Sequence, residues 1–336
     1  GGSASGTNAN SIDLYANVTT NGGDFLAWAD FAPRGVNGIA SDGAGDIVDT
    51  GTGDIILITD RVNGTGTTAI KFKTTGNFYL VPSADAFMET FNWNPTVTTT
   101  AVDFGGGWNY LRIENFSSLG GLTIGRYDGM LDGSTPVVQG NTSGVTISRD
   151  ISINGPISIY GNRIWLDGSL DVAAPEADIL VQSTGLNGVA GLINLFGSRD
   201  LTTNGGDIVL WSNADNVISG TANNEIILGG SNTLTSNGGK IVLAGGLDDG
   251  TNGGVANDGI PDGFAYRGGY SASAVDIRAD VTVQSGGGDV IIRGHSDPNL
   301  GSSTVTLRGF GVQALGEHLA DAFALEHVFI DDPYPA

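Results

Sequence analysis

One phrase recurs along the chain: a Gly-rich turn, one polar residue, then a short apolar run. Thr203-Asn204-Gly205-Gly206-Asp207-Ile208-Val209-Leu210 is one copy, and Thr20-Asn21-Gly22-Gly23-Asp24-Phe25-Leu26 is another. Gly51-Thr52-Gly53-Asp54-Ile55-Ile56-Leu57, Ser236-Asn237-Gly238-Gly239-Lys240-Ile241-Val242 and Ser285-Gly286-Gly287-Gly288-Asp289-Val290-Ile291 repeat the theme. A repeated turn-then-strand unit limits the chain to folds built from many short strands with tight corners. Composition agrees. Gly supplies 55 of 336 residues, about twice its usual share. A helical protein tolerates this poorly, because each interior Gly costs about 0.5–1 kcal/mol against Ala. The glycines have no period of three, which excludes collagen. The Val-, Ile- and Leu-rich runs between them, in a chain that is 40% hydrophobic, argue against disorder.

The apolar runs are four to six residues long, alternating or continuous, as buried and half-buried strands are. They include Ile12–Tyr15, Asp54–Ile58, Gly144–Ile147, Pro156–Tyr160, Arg163–Asp167, Asp178–Val181, Leu192–Phe196, Glu225–Leu228 and Ala274–Arg278. The phrases are unevenly spaced, which disfavours propeller blades. It suits a solenoid, whose coils carry loops of any length. In a parallel β-solenoid each strand pairs with its equivalent one coil away, about 4.7–4.9 Å off. A longer internal match defines the unit. Ile12-Asp13-Leu14 to Val18-Thr19-Thr20 and Gly22-Gly23-Asp24 reads against Val275-Asp276-Ile277 to Val281-Thr282-Val283 and Gly287-Gly288-Asp289. Ile164–Val172 follows the same order. The unit is strand, turn, strand, Gly turn, strand: one coil of a three-sided stack. The expected fold is all-β, a parallel β-helix with loop excursions, forming a single elongated solenoid over residues 1–310. Residues 78–116 are an aromatic-rich irregular coil or lateral loop, and 248–270 an acidic Gly/Asn-rich loop. Residues 311–336 form a C-terminal tail. Within it Ala314, Leu315, Leu319, Ala322 and Phe323 fall at rough helical spacing, which suggests a short helix or cap.

Net charge is -22, from 36 acidic and 14 basic residues. This argues against nucleic acid or an anionic membrane as partner. No apolar run approaches the length of a membrane-spanning helix, so membrane insertion is not expected. Cysteine is absent, so burial and hydrogen bonding alone must hold the fold. The first residues, Gly-Gly-Ser-Ala-Ser-Gly, carry no basic and apolar leader pattern.

The run Ser118-Leu119-Gly120-Gly121-Leu122-Thr123-Ile124-Gly125, followed by Ile151-Ser152-Ile153-Asn154-Gly155-Pro156-Ile157-Ser158-Ile159-Tyr160-Gly161 and the Gly-Gly-Asp phrases, resembles the repeat regions of filamentous-haemagglutinin-like bacterial surface adhesins. The likeness spans most of residues 11–310 and is weaker over 78–116 and the tail. It implies a right-handed parallel β-helix, secretion to the cell surface, and a role in attachment, biofilm or a surface fibre. No secretion domain of the two-partner type is recognisable.

Three sets of residues could carry chemistry. The stretch 248–263 offers Asp248, Asp249, Asn257, Asp258 and Asp262 among glycines, the oxygen donors and pliable backbone that Ca²⁺ requires. It is similar to the Asp-rich calcium loops of thrombospondin type 3 repeats, without their alternating aspartates. A solvated excursion between coils is the competing reading. Trp93, Trp108 and Tyr110 are candidates for an interface with another subunit or a glycan, against a plain packing role. Asp24, Asp54, Asp207 and Asp289 each precede a strand. Aligned in register they would form a like-charge ladder, with Lys240 breaking it. Turn formation explains them better than catalysis, and no convergent acid/base set is visible. The expectation is a non-enzymatic extracellular stalk or fibre subunit that pairs head-to-tail with itself, with glycans or a neighbouring cell surface as further partners. The alternative is a carbohydrate-binding or polysaccharide-degrading β-helix protein.

Overall fold

A computed structural model describes residues 12–29, 38–41, 46–60, 62–64, 70–87, 91–93, 96–97, 101–103, 111–130, 136–184, 191–216, 224–266, 273–278, 280–295, 305–307, 311–312 and 328–331. Among these residues the protein is β-structure, with long all-parallel sheets and one 3-10 turn at Phe116–Ser118. It comprises two compact units, residues 1–143 with 153–155, and residues 144–152 with 156–336.

In the second unit successive strands visit three sheets in turn and then return to the first. Arg163–Leu166, Leu170–Pro175 and Ile179–Ser183 make one such round. Leu192–Leu195, Asp200–Asn204 and Ile208–Ser212 make the next, followed by Ile226–Leu228, Thr233–Thr235 and Ile241–Gly245. Val275–Ile277, Thr282–Gln284 and Val290–His295 continue the series. Each strand pairs in parallel with its equivalent one round on. In the third sheet Ile157, Ile179, Ile208, Ile241 and Val290 align in one column, and Ile159, Val181, Leu210, Leu243 and Ile292 in another. Ile164, Ile193, Ile226 and Val275 form a column in the first sheet. Leu170, Leu201, Leu234 and Val283 do so in the second. All these side chains are buried. The period-two alternation written in the sequence places one set of side chains in the core, and the parallel register stacks like on like.

The first unit repeats the scheme with Ile12–Leu14, Val18–Thr19 and Phe25–Trp28, then Ile39–Ser41, Ile47–Gly51 and Ile55–Ile58, then Val62–Gly64, Ile70–Thr74 and Asn77–Val81. The aromatic-rich stretch then departs from it. Leu111–Glu114 joins Ile70–Thr74 in parallel, but Ala101–Asp103 and Thr96–Val97 add on beyond it antiparallel. A second antiparallel pair, Tyr127–Met130 with Pro136–Gln139, forms a separate hairpin. Phe72 and Phe78 pack edge to face in the core, 5.9 Å between centroids. Of the tail expected over 311–336 as a short helix or cap, Gly311–Val312 and Val328–Asp331 are strands, and 313–327, where the helical spacing falls, lies outside the described residues.

Candidate functional site

The feature that recurs is the corner between the second and third sheets, where every Gly-rich phrase falls. Four devices operate there. A hydroxyl residue opens the turn. Thr203 Oγ1 lies 2.5 Å from the Gly206 carbonyl of its own turn and 3.1 Å from the Ser236 carbonyl of the next round. Ser236 Oγ stands likewise 2.5 Å from Gly239 and 3.0 Å from Ser285. In the first unit Thr20 and Thr50 bond the Gly23 and Gly53 carbonyls in the same way. Next, the following residues tie round to round. Gly205 N donates to the Ser236 carbonyl at 2.9 Å, Gly238 N to Ser285 at 2.6 Å, and Asn237 Nδ2 back to the Thr203 carbonyl at 2.6 Å.

The last glycine of each phrase is there for want of space. A Cβ on Gly206 would stand 2.1 Å from the Ala177 carbonyl oxygen. On Gly239 and Gly288 it would stand 2.1 Å from the carbonyl oxygens of Gly206 and Gly239. In the first unit a Cβ on Gly53 would stand 2.2 Å from the Gly23 oxygen.

The polar residue that follows fastens successive rounds. Asp178 Oδ1 accepts the main-chain N–H of Asp207 at 2.7 Å, and Asp207 Oδ1 accepts that of Lys240 at 2.7 Å. Asp24 Oδ1 accepts from Asp54 N at 2.8 Å, and Asp54 Oδ1 from Asn77 N at 2.8 Å. Asp24 aligns with Asp54 and Asp178 with Asp207, as register demands, and each of these four carboxylates is an acceptor for the next round's backbone, while Asp289 falls beside Lys240. Partial burial, then the Asp207 charge, holds the Asp178 carboxyl above the usual aspartate range, while the Asp207 N–H pulls it down. Position 240 needs only its main-chain N–H in this ladder, so Lys is accommodated there. The hydroxyl residue, by contrast, is a part of the corner that reading the glycines alone misses. Its signal in the sequence is the Thr or Ser three residues before the last glycine.

The acidic stretch folds back on the outer face of the third sheet in the second unit. Ile260 packs on Val209, Val242 and Ala244, beside Leu180, Trp211 and Ile291. Trp211 Nε1 donates to the Gly246 carbonyl at 2.7 Å, and Arg293 Nη1 to that of Pro261 at 3.0 Å. The five candidate calcium donors are separated in their duties. Asp248 accepts the N–H groups of Asn257 at 2.6 Å, Asp258 at 3.3 Å and Gly259 at 2.8 Å. Asp249 takes Thr251 N, Asp258 takes Ile260 N, and the buried Asp262 takes Gly250 N at 2.6 Å. Asn257 adopts a left-handed backbone, φ 62°. Among the described residues no three acidic or histidine side chains converge as metal ligands.

Trp93 is fully buried, 5.5 Å from Phe116, and neighbouring Phe87 and Phe91 stack at 5.1 Å. Trp108 and Tyr110 lie outside the described residues. Large apolar side chains do meet solvent elsewhere. Leu26 is 41% exposed and Trp28 38% exposed, on the outer face of the third sheet of the first unit. Farther along that face Ile56, Ile58 and Val81 are covered, with Tyr79 and Tyr127 packed against them, the two rings 5.4 Å apart. Burial and the charges of Asp24 and Asp54 raise the Tyr127 hydroxyl above the usual tyrosine range.

The fold and these corners define a class: an all-β, parallel-stacked repeat protein. No family model, no curated protein and no solved structure matches the chain.

Proposed function

We propose that the chain is an extracellular structural and adhesive protein, a right-handed parallel β-helix serving as a stiff stalk or fibre subunit at a cell surface. The observation that carries this reading is the corner. Hydroxyl, glycine and aspartate recur at this corner and fasten one round to the next, and Asp24, Asp54, Asp178 and Asp207, acidic residues that would otherwise suggest hydrolysis, serve as acceptors for main-chain N–H groups. That use supports the reading of a non-catalytic role. The strands Ile12–Leu14, Val18–Thr19 and Phe25–Trp28 have no partner on their far side among the described residues. Open parallel edges of this kind pair with further strands, which is the basis for head-to-tail association of copies. Electron microscopy of the purified chain at rising concentration tests this. Filaments or end-to-end dimers are expected, and a monodisperse monomer at every concentration would overturn the fibre reading.

One observation favours a second reading, a carbohydrate-binding module. Trp28 and Leu26 present an apolar outer surface next to the exposed Asp24, and aromatic rings with nearby carboxylates suit sugar faces and hydroxyls. Glycan-array binding that disappears with Trp28→Ala would support it; an array without signal would remove it. Asp248 accepts three main-chain N–H groups, with which calcium at the 248–263 stretch would compete for the carboxylate oxygens. Calcium titration monitored by the chemical shifts of those amides reads that competition directly.

A further inference from the structure

Asparagine followed by glycine is open to a spontaneous modification, because no side chain shields the glycine nitrogen. That nitrogen attacks the asparagine Cγ. A new C–N bond closes a five-membered succinimide, the bond to the side-chain nitrogen breaks, and ammonia leaves with the amide proton. Water then opens the ring at either carbonyl to give aspartate or isoaspartate. The attack needs a glycine N–H released from hydrogen bonding and a backbone free to rotate.

Five Asn-Gly pairs have described side chains: Asn21-Gly22, Asn154-Gly155, Asn204-Gly205, Asn237-Gly238 and Asn252-Gly253. In four of them the glycine nitrogen is bonded within the stack. Gly22 N donates to Thr50 at 2.8 Å, Gly155 N to Leu119 at 3.0 Å, Gly205 N to Ser236 at 2.9 Å and Gly238 N to Ser285 at 2.6 Å. Gly253 is the exception. Its N–H has no acceptor among the described residues, Asn252 and Gly253 are both exposed, and nothing lies within 4 Å of where a Gly253 Cβ would be. The same excursion holds three Asp-Gly pairs that could react through the same ring, yet Gly250 N is bonded to Asp262 and Gly259 N to Asp248, and in the third pair Asp262 is buried and Gly263 is bridged to Gly245.

We infer that Asn252 is a modification site, the one among the five described Asn-Gly pairs that deamidates in the native chain while the corner asparagines are protected by the stack. The product alters the excursion directly. Asn252 Nδ2 donates to the Asp262 carbonyl at 2.8 Å. A carboxylate in its place cannot donate, and it adds a negative charge beside Asp249 and Asp262. The strands beneath keep every bond described above, so the modification loosens the excursion and leaves the rounds intact.

The test uses the full chain, incubated at mildly alkaline pH in native buffer and, in parallel, unfolded in urea, with peptide mass mapping over time. In native buffer the peptide carrying Asn252 gains about 1 Da, the exchange of an amide –NH2 for an acid –OH. It does so at least about tenfold faster than those carrying Asn204 or Asn237, the factor that one retained hydrogen bond supplies. In urea the difference between the sites collapses. Equal rates at Asn252, Asn204 and Asn237 in the native chain would overturn the inference. So would an Asn252 that stays intact in the native chain while reacting in urea.

Discussion

Replacing Gly239 by Ala tests the corner at its tightest point. The new methyl would sit 2.1 Å from the Gly206 oxygen, 2.4 Å from its carbonyl carbon and 2.8 Å from the Gly205 oxygen. All three are backbone atoms of the preceding round, so no side chain can swing aside. Relief requires the two rounds to part by more than 1 Å, since ordinary contact begins at 3.4 Å. Parting them stretches the bonds on either side, Ile208 N to the Lys240 carbonyl at 2.9 Å and Lys240 N to Asp207 at 2.7 Å. Overpacking costs about 1–3 kcal/mol and each lost bond about 1 kcal/mol, so the expected loss is about 3–5 kcal/mol. The neighbouring Gly238→Ala separates this cause from backbone strain. Its φ is +121° and its Cβ would meet nothing within 4 Å, so only the conformational cost remains, about 1–3 kcal/mol. Guanidinium unfolding followed by circular dichroism and by the fluorescence of Trp165 and Trp211 measures both variants. A Gly239→Ala chain within 1 kcal/mol of the parent, or a Gly238→Ala chain that is the worse of the two, would refute the close-approach explanation.

Thr203→Val keeps the shape of a fully buried side chain but removes the hydroxyl facing the Gly206 and Ser236 carbonyls; a loss of about 1–3 kcal/mol in the same unfolding assay is expected, and Thr203→Ser should recover most of it. Asp178→Asn keeps the Oδ1 acceptor for Asp207 N and removes a carboxyl whose pKa is raised by partial burial and the Asp207 charge. A folded pKa above the unfolded value of 3.8 means that the group's contribution to stability is full below 3.8 and is lost as pH rises through the folded pKa. The Asn variant should therefore unfold at higher denaturant than the parent at pH 7 and match it near pH 3, by a small margin because the side chain still meets solvent. Asp262→Ala removes the acceptor of Gly250 N and the carboxylate 3.9 Å from Arg293. Faster amide exchange over 247–263, with unchanged exchange in Ile208–Ser212 and Ile241–Gly245, is the expected result.

Strand positions were legible because alternation and glycine mark them directly. The runs read as Arg163–Asp167, Asp178–Val181 and Glu225–Leu228 appear as Arg163–Leu166, Ile179–Ser183 and Ile226–Leu228. The internal match was informative for the same reason. Ile12–Leu14 with Val18–Thr19, and Val275–Ile277 with Thr282–Gln284, each supply one strand and then the next along a round. The antiparallel additions were not legible. Thr96–Val97, Ala101–Asp103 and Pro136–Gln139 carry the Val and Thr of the stacked strands, and composition does not encode strand direction, while Tyr127–Met130, Tyr-Asp-Gly-Met, has no β-branched residue to mark it as a strand. The use of the acidic stretch was also hidden. Carboxylates that accept backbone N–H groups and carboxylates that hold a cation look alike in sequence, and only the fold of 247–263 shows that Asp248 and Asp262 accept backbone N–H groups.

Parallel pairing in register, one round upon the next, is what every other statement here rests on, and a chain without cysteine allows it to be measured by disulfide trapping. Thr202 and Thr235 are register partners on the second sheet. Their Cα atoms therefore stand at the strand spacing, about 4.8 Å, inside the range a disulfide spans. Thr202 and Thr233 are offset by two residues along the partner strand, which places them about 7–8 Å apart and beyond that range. Mild oxidation of the Thr202→Cys/Thr235→Cys chain should close an intramolecular disulfide nearly completely, while the Thr202→Cys/Thr233→Cys chain stays reduced. Equal trapping of both pairs, or trapping of the offset pair alone, would contradict the stacked register.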